Sequence, residues 1–260
     1  MSISDLNTKL YHAISLNDFK TYAKKGGVLS RERLSRANPY FTRFFSDPKD
    51  IKLGCWDRTF GNFTDLGARF GQFANSVPNA FGPINIVLSE KVLSELDDVK
   101  VTKVSVSQQK YNPNEHDIPL STLADFFIEK DKVHYPNKGS QGLEFSSSTE
   151  CIDWKYVAYI LVDPIEFNGK SLVSEVERIL AENGIEKKVI KRKIKCEQTL
   201  GHLLNFSDSL AGSLLHKNES LEDLVPDNLI KWFKELNPVG QAILASWLTY
   251  TYNGTLLHLK

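Results

Sequence analysis

The chain has 260 residues, of which 41% are hydrophobic and 25% charged, enough apolar material for one large domain or a domain with an appendage. Its 32 Lys and Arg are balanced by 32 Asp and Glu, so no global field points to nucleic acid or an anionic membrane, and attraction of that kind has to come from a local patch. No apolar run approaches bilayer length, and the start, MSISDLNTKLYH, lacks a basic region followed by an apolar one, so a cytoplasmic protein with no membrane partner is expected. Cys55, Cys151 and Cys196 are scattered, with no CxxC, which argues against a disulfide framework or a thiolate zinc site.

In chain order, Lys9 to Ile14 (KLYHAI) alternates as a strand carrying Tyr11 and His12. Ser15 then caps a predicted helix from Leu16 to Lys25 that stops at Gly26-Gly27. Arg31, Arg33 and Arg36 follow, either to meet phosphates or to cover a solvated helix face with their stems packed. Residues from Ser46 to Phe63 read as a long loop, and Thr64 to Phe73 as a helix ending before Pro78. Gly82-Pro83 opens a buried strand, Ile84 to Leu88, after which Ser89 caps a short helix and Val99 to Ser107 alternates as another strand. A polar loop holding Tyr111 and His116 leads to a helix expected from Pro119 to Lys130, with Leu120, Leu123, Phe126 and Phe127 inward.

The stretch Tyr135 to Val162 is the pivot of the chain. A breaker-rich loop, Pro136 to Gly142, is followed by two strand-like runs, Leu143 to Ser148 and Tyr156 to Val162. Glu144 therefore stands where a loop enters a sheet, a place that fixes a side chain while the loop brings a substrate. Lys170 to Glu182 is an amphipathic helix closed by Asn183-Gly184. Lys187 to Lys195 alternates basic and aliphatic residues, a lysine face that either attracts a phosphate backbone or blocks edge-to-edge pairing as edge strands do. Beyond Glu197 the leucine spacing is helical, giving a division into a catalytic domain, 1–195, and a helical C-terminal subdomain, 196–260.

GxSxG, HExxH, GxxxxGK[ST] and GxGxxG between strand and helix are all absent. The six histidines have no metal-ligand spacing with each other or with cysteine, so no metal is expected. The remaining arrangement is Tyr11-His12 on the first strand, Arg31 and Arg33 after the first helix, and Glu144 before a late strand.

With LYHAISLNDFKTYAKKGGVLS at the start, AFGPINIVL in the middle and GLEFSSSTECIDWKYVAYILV at the late strands, residues 9 to 166 resemble the ADP-ribosyltransferase superfamily. The look is nearest to the DarT-like toxins that modify nucleic acid. The resemblance implies an α+β fold with a split mixed or antiparallel sheet and NAD as the donor of ADP-ribose. It implies a nucleic-acid or protein acceptor and an antitoxin partner for a toxin or antiphage effector. It makes Glu144 the catalytic carboxylate, with Glu150 as the alternative if the strand begins later. Tyr11 and His12 would hold the cofactor and Arg31 or Arg33 its pyrophosphate, while Phe81, Tyr111 and Tyr135 are candidates to stack on nicotinamide. Gln141 and Tyr135 would face the acceptor. Where many members carry a stacking tyrosine, this chain has Asn85 or Ile86. The readings outside transfer are NAD hydrolysis and a catalytically inactive binding module.

Overall fold

The computed structural model describes residues 6–193 apart from 44–46, 72–78, 80, 107–109, 131, 141 and 168. The elements begin with β1 (Lys9–Ile14), α1 (Leu16–Lys25), β2 (Gly27–Leu29), α2 (Arg31–Ala37), α3 (Asp47–Lys52), β3 (Thr59–Asn62) and α4 (Leu66–Gly71). They continue with β4 (Ile84–Ser89), α5 (Val92–Glu95), β5 (Lys100–Thr102), α6 (Pro113–His116), β6 (Phe127–Lys130) and β7 (Val133–Pro136). Last come β8 (Glu144–Ser147), β9 (Cys151–Asp153), β10 (Val157–Val162), β11 (Glu166–Phe167), β12 (Lys170–Ser171), α7 (Leu172–Glu182) and β13 (Val189–Lys191). The fold is α+β, built on a seven-stranded sheet of order β13-β10-β4-β1-β3-β8-β5. All its pairs are antiparallel except β10 with β13.

The sheet is split. β1 pairs with β4 along its whole length, from Lys9 opposite Ser89 to Ile14 opposite Ile84, whereas towards β3 it keeps a single register pair, Tyr11 opposite Asn62. Four strands thus lie on one side of that pair and three on the other. Backbone groups at such a divergence lose their ladder partners and need others. The ring of His12 supplies one, with Nδ1 2.6 Å from the carbonyl oxygen of Phe60.

The helices follow local signals. Ser15 caps α1, its hydroxyl accepting from the Asp18 N–H at 3.2 Å, and Gly26 ends it at φ 84°. Leu16, Phe19, Tyr22 and Ala23 are buried along one face, while Lys24 and Lys25 stay in water. In α7 the buried residues are Leu172, Val176, Ile179 and Leu180. Both helices join the sheet's Leu10, Ile14, Ile84, Ile86, Leu88 and Ile160 in one core.

Several expectations are corrected. The loop expected from Ser46 to Phe63 contains α3 and β3; TFGN has no apolar alternation, and it is held as a strand by partners on both sides. The helix expected from Pro119 to Lys130 is a 3₁₀ segment, Leu120–Phe126, followed by β6. The spacing of Leu120, Leu123 and Phe126 is three, the period of a 3₁₀ turn, and buried Phe127 belongs to the β6–β7 hairpin opposite Pro136. Of the strand expected from Val99 to Ser107, the described residues form only β5, because the Lys103 N–H turns away to the His116 carbonyl, and Ser107 lies outside them. The short helix expected to start at Ser89 begins at Val92. The pair β2–β9, antiparallel and outside the main sheet, was not anticipated. β13 lies at the sheet edge with Lys191 exposed, yet Arg192 turns inward to Asp163 and Asp65, so the basic face is interrupted by a buried charge cluster. The predicted helical subdomain 196–260 lies outside the described residues.

Gly82 adopts φ 141°, and a Cβ there would lie 2.2 Å from the Ile14 carbonyl oxygen. The close approach of the chain entering β4 to the end of β1 thus requires glycine. Gly82→Ala is expected to cost about 2–4 kcal/mol, read as a lower urea midpoint; an unchanged midpoint would show that this approach does not set the β1–β4 pairing.

Candidate active site

Glu144 is the first residue of β8, opposite Asn62 of β3 on one side and Thr102 of β5 on the other. With Tyr11 opposite Asn62, the residues Tyr11, Asn62, Glu144 and Thr102 form one row across the split, and paired residues in an antiparallel sheet project to the same face. The Glu144 side chain is half-buried; its Oε1 accepts from the Val106 N–H at 3.3 Å, and the Ser105 hydroxyl also bonds to it. Burial pushes the carboxyl up to about 7, against the pull of the Ser105 and Val106 bonds, and the charge of Asp50 on α3 adds to the rise. A carboxyl near neutrality in a strip of half-buried polar groups has the character of a functional group. Glu150, the alternative carboxylate, lies just before β9 with its side chain 80% exposed and paired with Arg33 at 2.8 Å.

One residue from Tyr11, His12 projects to the other face. Because a carbonyl only accepts, Nδ1 carries the proton given to Phe60. Nε2 lies 3.2 Å from the Tyr22 hydroxyl, which itself donates to the Leu29 carbonyl at 2.9 Å. A single phenolic proton therefore serves two acceptors, and Nε2 keeps a lone pair without a full partner. Burial pushes His12 down to about 4, with the Phe60 bond opposing and the Arg31 charge adding to the fall, so the ring is neutral at physiological pH.

Arg31 pins three elements. Its Nη1 reaches Asp18 of α1 at 3.3 Å, its Nε and Nη2 reach Asp47 of α3 at 3.2 and 2.9 Å, and Nη2 also donates to the Thr42 carbonyl. The guanidinium lies 4.8 Å from the Phe41 ring centroid and 5.8 Å from that of Trp56. Its charge is thus compensated within the protein. Arg33 is different: among the described residues Nη1 pairs with exposed Glu150 alone, and its buried Nε has no hydrogen-bond partner.

The other expected residues are dispersed. Tyr11 bonds to the Tyr159 hydroxyl, and burial holds its phenol protonated. Tyr135, on β7, is 54% exposed and lies near Tyr159. Tyr111 donates to Asp117 at 2.6 Å and stacks on His116. Phe81, 44% exposed, precedes Gly82 at the entry to β4. Gln141 lies outside the described residues. Sequence reading missed Asn62, Ser105, Asp18, Asp47 and Asp50. Asn62, Asp47 and Asp50 fell in the presumed loop, and the missing signal was that a second strand must separate a Tyr-His strand from a glutamate strand.

Glu144 holds its proton more tightly when folded, near 7, than in the unfolded chain, near 4.5. Its contribution to stability is therefore full below about pH 4.5 and is lost as pH rises through about 7. Glu144→Gln cannot ionise, so in urea unfolding it is expected to match the wild type near pH 4 and to exceed it by about 1–3 kcal/mol at pH 8. Equal stabilities at both pH values would show that the carboxyl is not desolvated.

No protein-family model matches the chain, and no curated protein matches it by sequence. Among solved structures it is similar in fold to Thermus sp. 2.9 DarT in complex with NAD+, at 14% identity and a TM-score of 0.46 over 72% of this chain and 96% of that one. It is similar also to Thermus sp. 2.9 DarT in complex with ADP-ribosylated ssDNA, at 14% identity and a TM-score of 0.48 over 72% and 95%. A third likeness, to Thermosipho africanus DarTG in complex with ADP-ribose, has 12% identity and a TM-score of 0.43 over 71% and 50%.

Proposed function

We propose that the chain is an NAD-dependent ADP-ribosyltransferase that transfers ADP-ribose to nucleic acid, with Glu144 as the catalytic carboxylate. The observation that carries this reading is Glu144 itself: a half-buried carboxyl at the first residue of a strand, beside the split of the sheet, held by Ser105 and Val106. The motifs around Tyr11-His12 and Gly142 to Val162 that resemble the superfamily meet at this split.

In the reaction the bond from ribose C1′ to the nicotinamide nitrogen breaks, and neutral nicotinamide leaves with the electron pair. The ribosyl group then carries oxocarbenium character until an acceptor nitrogen or oxygen bonds to C1′ and releases its proton. A fixed carboxylate beside the sugar stabilises that charge and orients the sugar hydroxyls or the nucleophile. At neutral pH Glu144 is divided between its two forms, and the positive charge of the bound nicotinamide ring favours the ionised one. Arg33, with an unpartnered Nε and a single exposed glutamate to hold it among the described residues, suits the pyrophosphate better than Arg31. His12 offers a neutral Nε2 acceptor to a ribose hydroxyl. Exposed Tyr135, with exposed Lys130 and Lys132 on the same hairpin, suits an acceptor of stacked bases and phosphates. NAD hydrolysis is the same chemistry with water as the acceptor.

Incubation with radiolabelled NAD and separate pools of RNA, single-stranded DNA, duplex DNA and cell protein is expected to label a nucleic-acid pool. Glu144→Ala is expected to lower that transfer by about 10²–10³-fold. The wild-type kcat/KM is expected to rise with pH through an inflection near 7, as Glu144 ionises, and to lose that inflection in Glu144→Gln. Nicotinamide release without label would leave a hydrolase. Neither label nor release would leave a binding module.

A further inference from the structure

The row that holds Glu144 contains a second polar group suited to a ligand. Tyr11 is engaged with Tyr159, and Thr102 is 1% exposed, its hydroxyl buried away from solvent. Between Tyr11 and Glu144 stands Asn62, at the end of β3 and half-buried. Its side-chain amide has no hydrogen-bond partner among the described residues, although those around it are held: Glu144 by Val106 and Ser105, and the Phe63 N–H by the Leu143 carbonyl at 3.2 Å. Asn is disfavoured in strands, and here the neighbouring strands supply its amide with no compensating bond.

We infer that Asn62 binds the sugar whose C1′ reacts, hydrogen-bonding the hydroxyls of the ribose that Glu144 faces. This rests on the transferase reading above. The geometry sets the choice of ligand group. Directly opposed residues on neighbouring antiparallel strands have Cβ atoms about 4.5–5.5 Å apart, so a group bound by the Glu144 carboxylate lies within reach of the Asn62 amide. A vicinal diol donates and accepts, and a primary amide offers both an acceptor oxygen and two N–H donors. A carboxylate that only accepts, next to an amide that also donates, holds a ribose in one orientation, which neither does alone. The pyrophosphate, by contrast, asks for a cation that this row lacks.

The test is calorimetric titration of the full chain with ADP-ribose and NAD, which carry the sugar in question, and with ADP, which does not. It would use the wild type, Asn62→Ala and Asn62→Leu, the leucine keeping the shape of the side chain without its hydrogen bonds. Both variants are expected to bind ADP-ribose about tenfold more weakly, the loss of about one hydrogen bond, and to bind ADP as the wild type does, with urea midpoints unchanged or raised. Wild-type affinity for ADP-ribose in both variants would overturn the inference while leaving the transferase reading in place, as would an equal loss for both ligands. A wild-type protein that binds neither ADP-ribose nor NAD would overturn both.

Discussion

Everything at the candidate site depends on one register pair. Where β1 meets β3, the ladder is reduced to Tyr11 opposite Asn62, and the two halves of the sheet separate beyond it. A continuous sheet would pair these strands along their length and close the strip against solvent. A single pair keeps the halves joined while letting half-buried polar side chains line the junction. The divergence exposes backbone groups that must be satisfied, and the His12 ring answers one of them at Phe60. This explains why a polar ring with a depressed basicity is kept in the core of the sheet: a neutral imidazole donates to a carbonyl without the cost of a buried charge.

Buried guanidinium groups fix what the open ladder cannot. Arg31 ties α1 and α3 together through Asp18 and Asp47. Arg192 ties the segment after β13 to Asp163 after β10 and to Asp65 before α4, and it lies so close to Gly67 that a Cβ there would stand 2.7 Å from its Cζ. Arg58 bonds Ser146 of β8 and Asp98 before β5. Each brings distant stretches of chain to a common point by geometry that a hydrophobic contact does not specify. Two of them act on the row through charge: Arg31 holds α3, whose Asp50 raises Glu144, and the Arg192–Asp65 pair acts on Tyr11. Arg31, expected at a pyrophosphate or on a solvated helix face, and Arg192, within a stretch expected to be an edge strand, are structural pins.

How far the sequence discloses this depends on whether an element's signal is local. β1, α1 and β4 were legible because alternation, a serine cap, a glycine stop and an unbroken apolar run each lie within a few residues. β3 was not, since Thr-Phe-Gly-Asn owes its conformation to β1 and β8, and neither was β2–β9, three residues each and paired across more than a hundred positions. Of the candidate site, Glu144 could be read from a breaker-rich loop running into a strand, and Tyr11-His12 from its pattern. Asn62 and the Ser105–Val106 donors had no such mark, because their relation to Glu144 exists only once three strands are side by side.

The same contrast explains the state of the carboxyl. Glu144 begins its strand, so its backbone is anchored by β3 and β5, but its side chain lies where the loop through Ser105 and Val106 folds over the sheet. Anchoring alone gives an ordinary surface carboxylate, and burial alone gives a neutral acid that does no electrostatic work. Two donors bound to a partly desolvated group leave it near 7, so small changes in nearby charge decide its ionisation. A positive charge beside it favours the charged form, and a negative charge such as that of Asp50 the neutral one. A carboxyl set in this way answers to the charge placed beside it, so the electrostatic cost of its burial falls when that charge is positive.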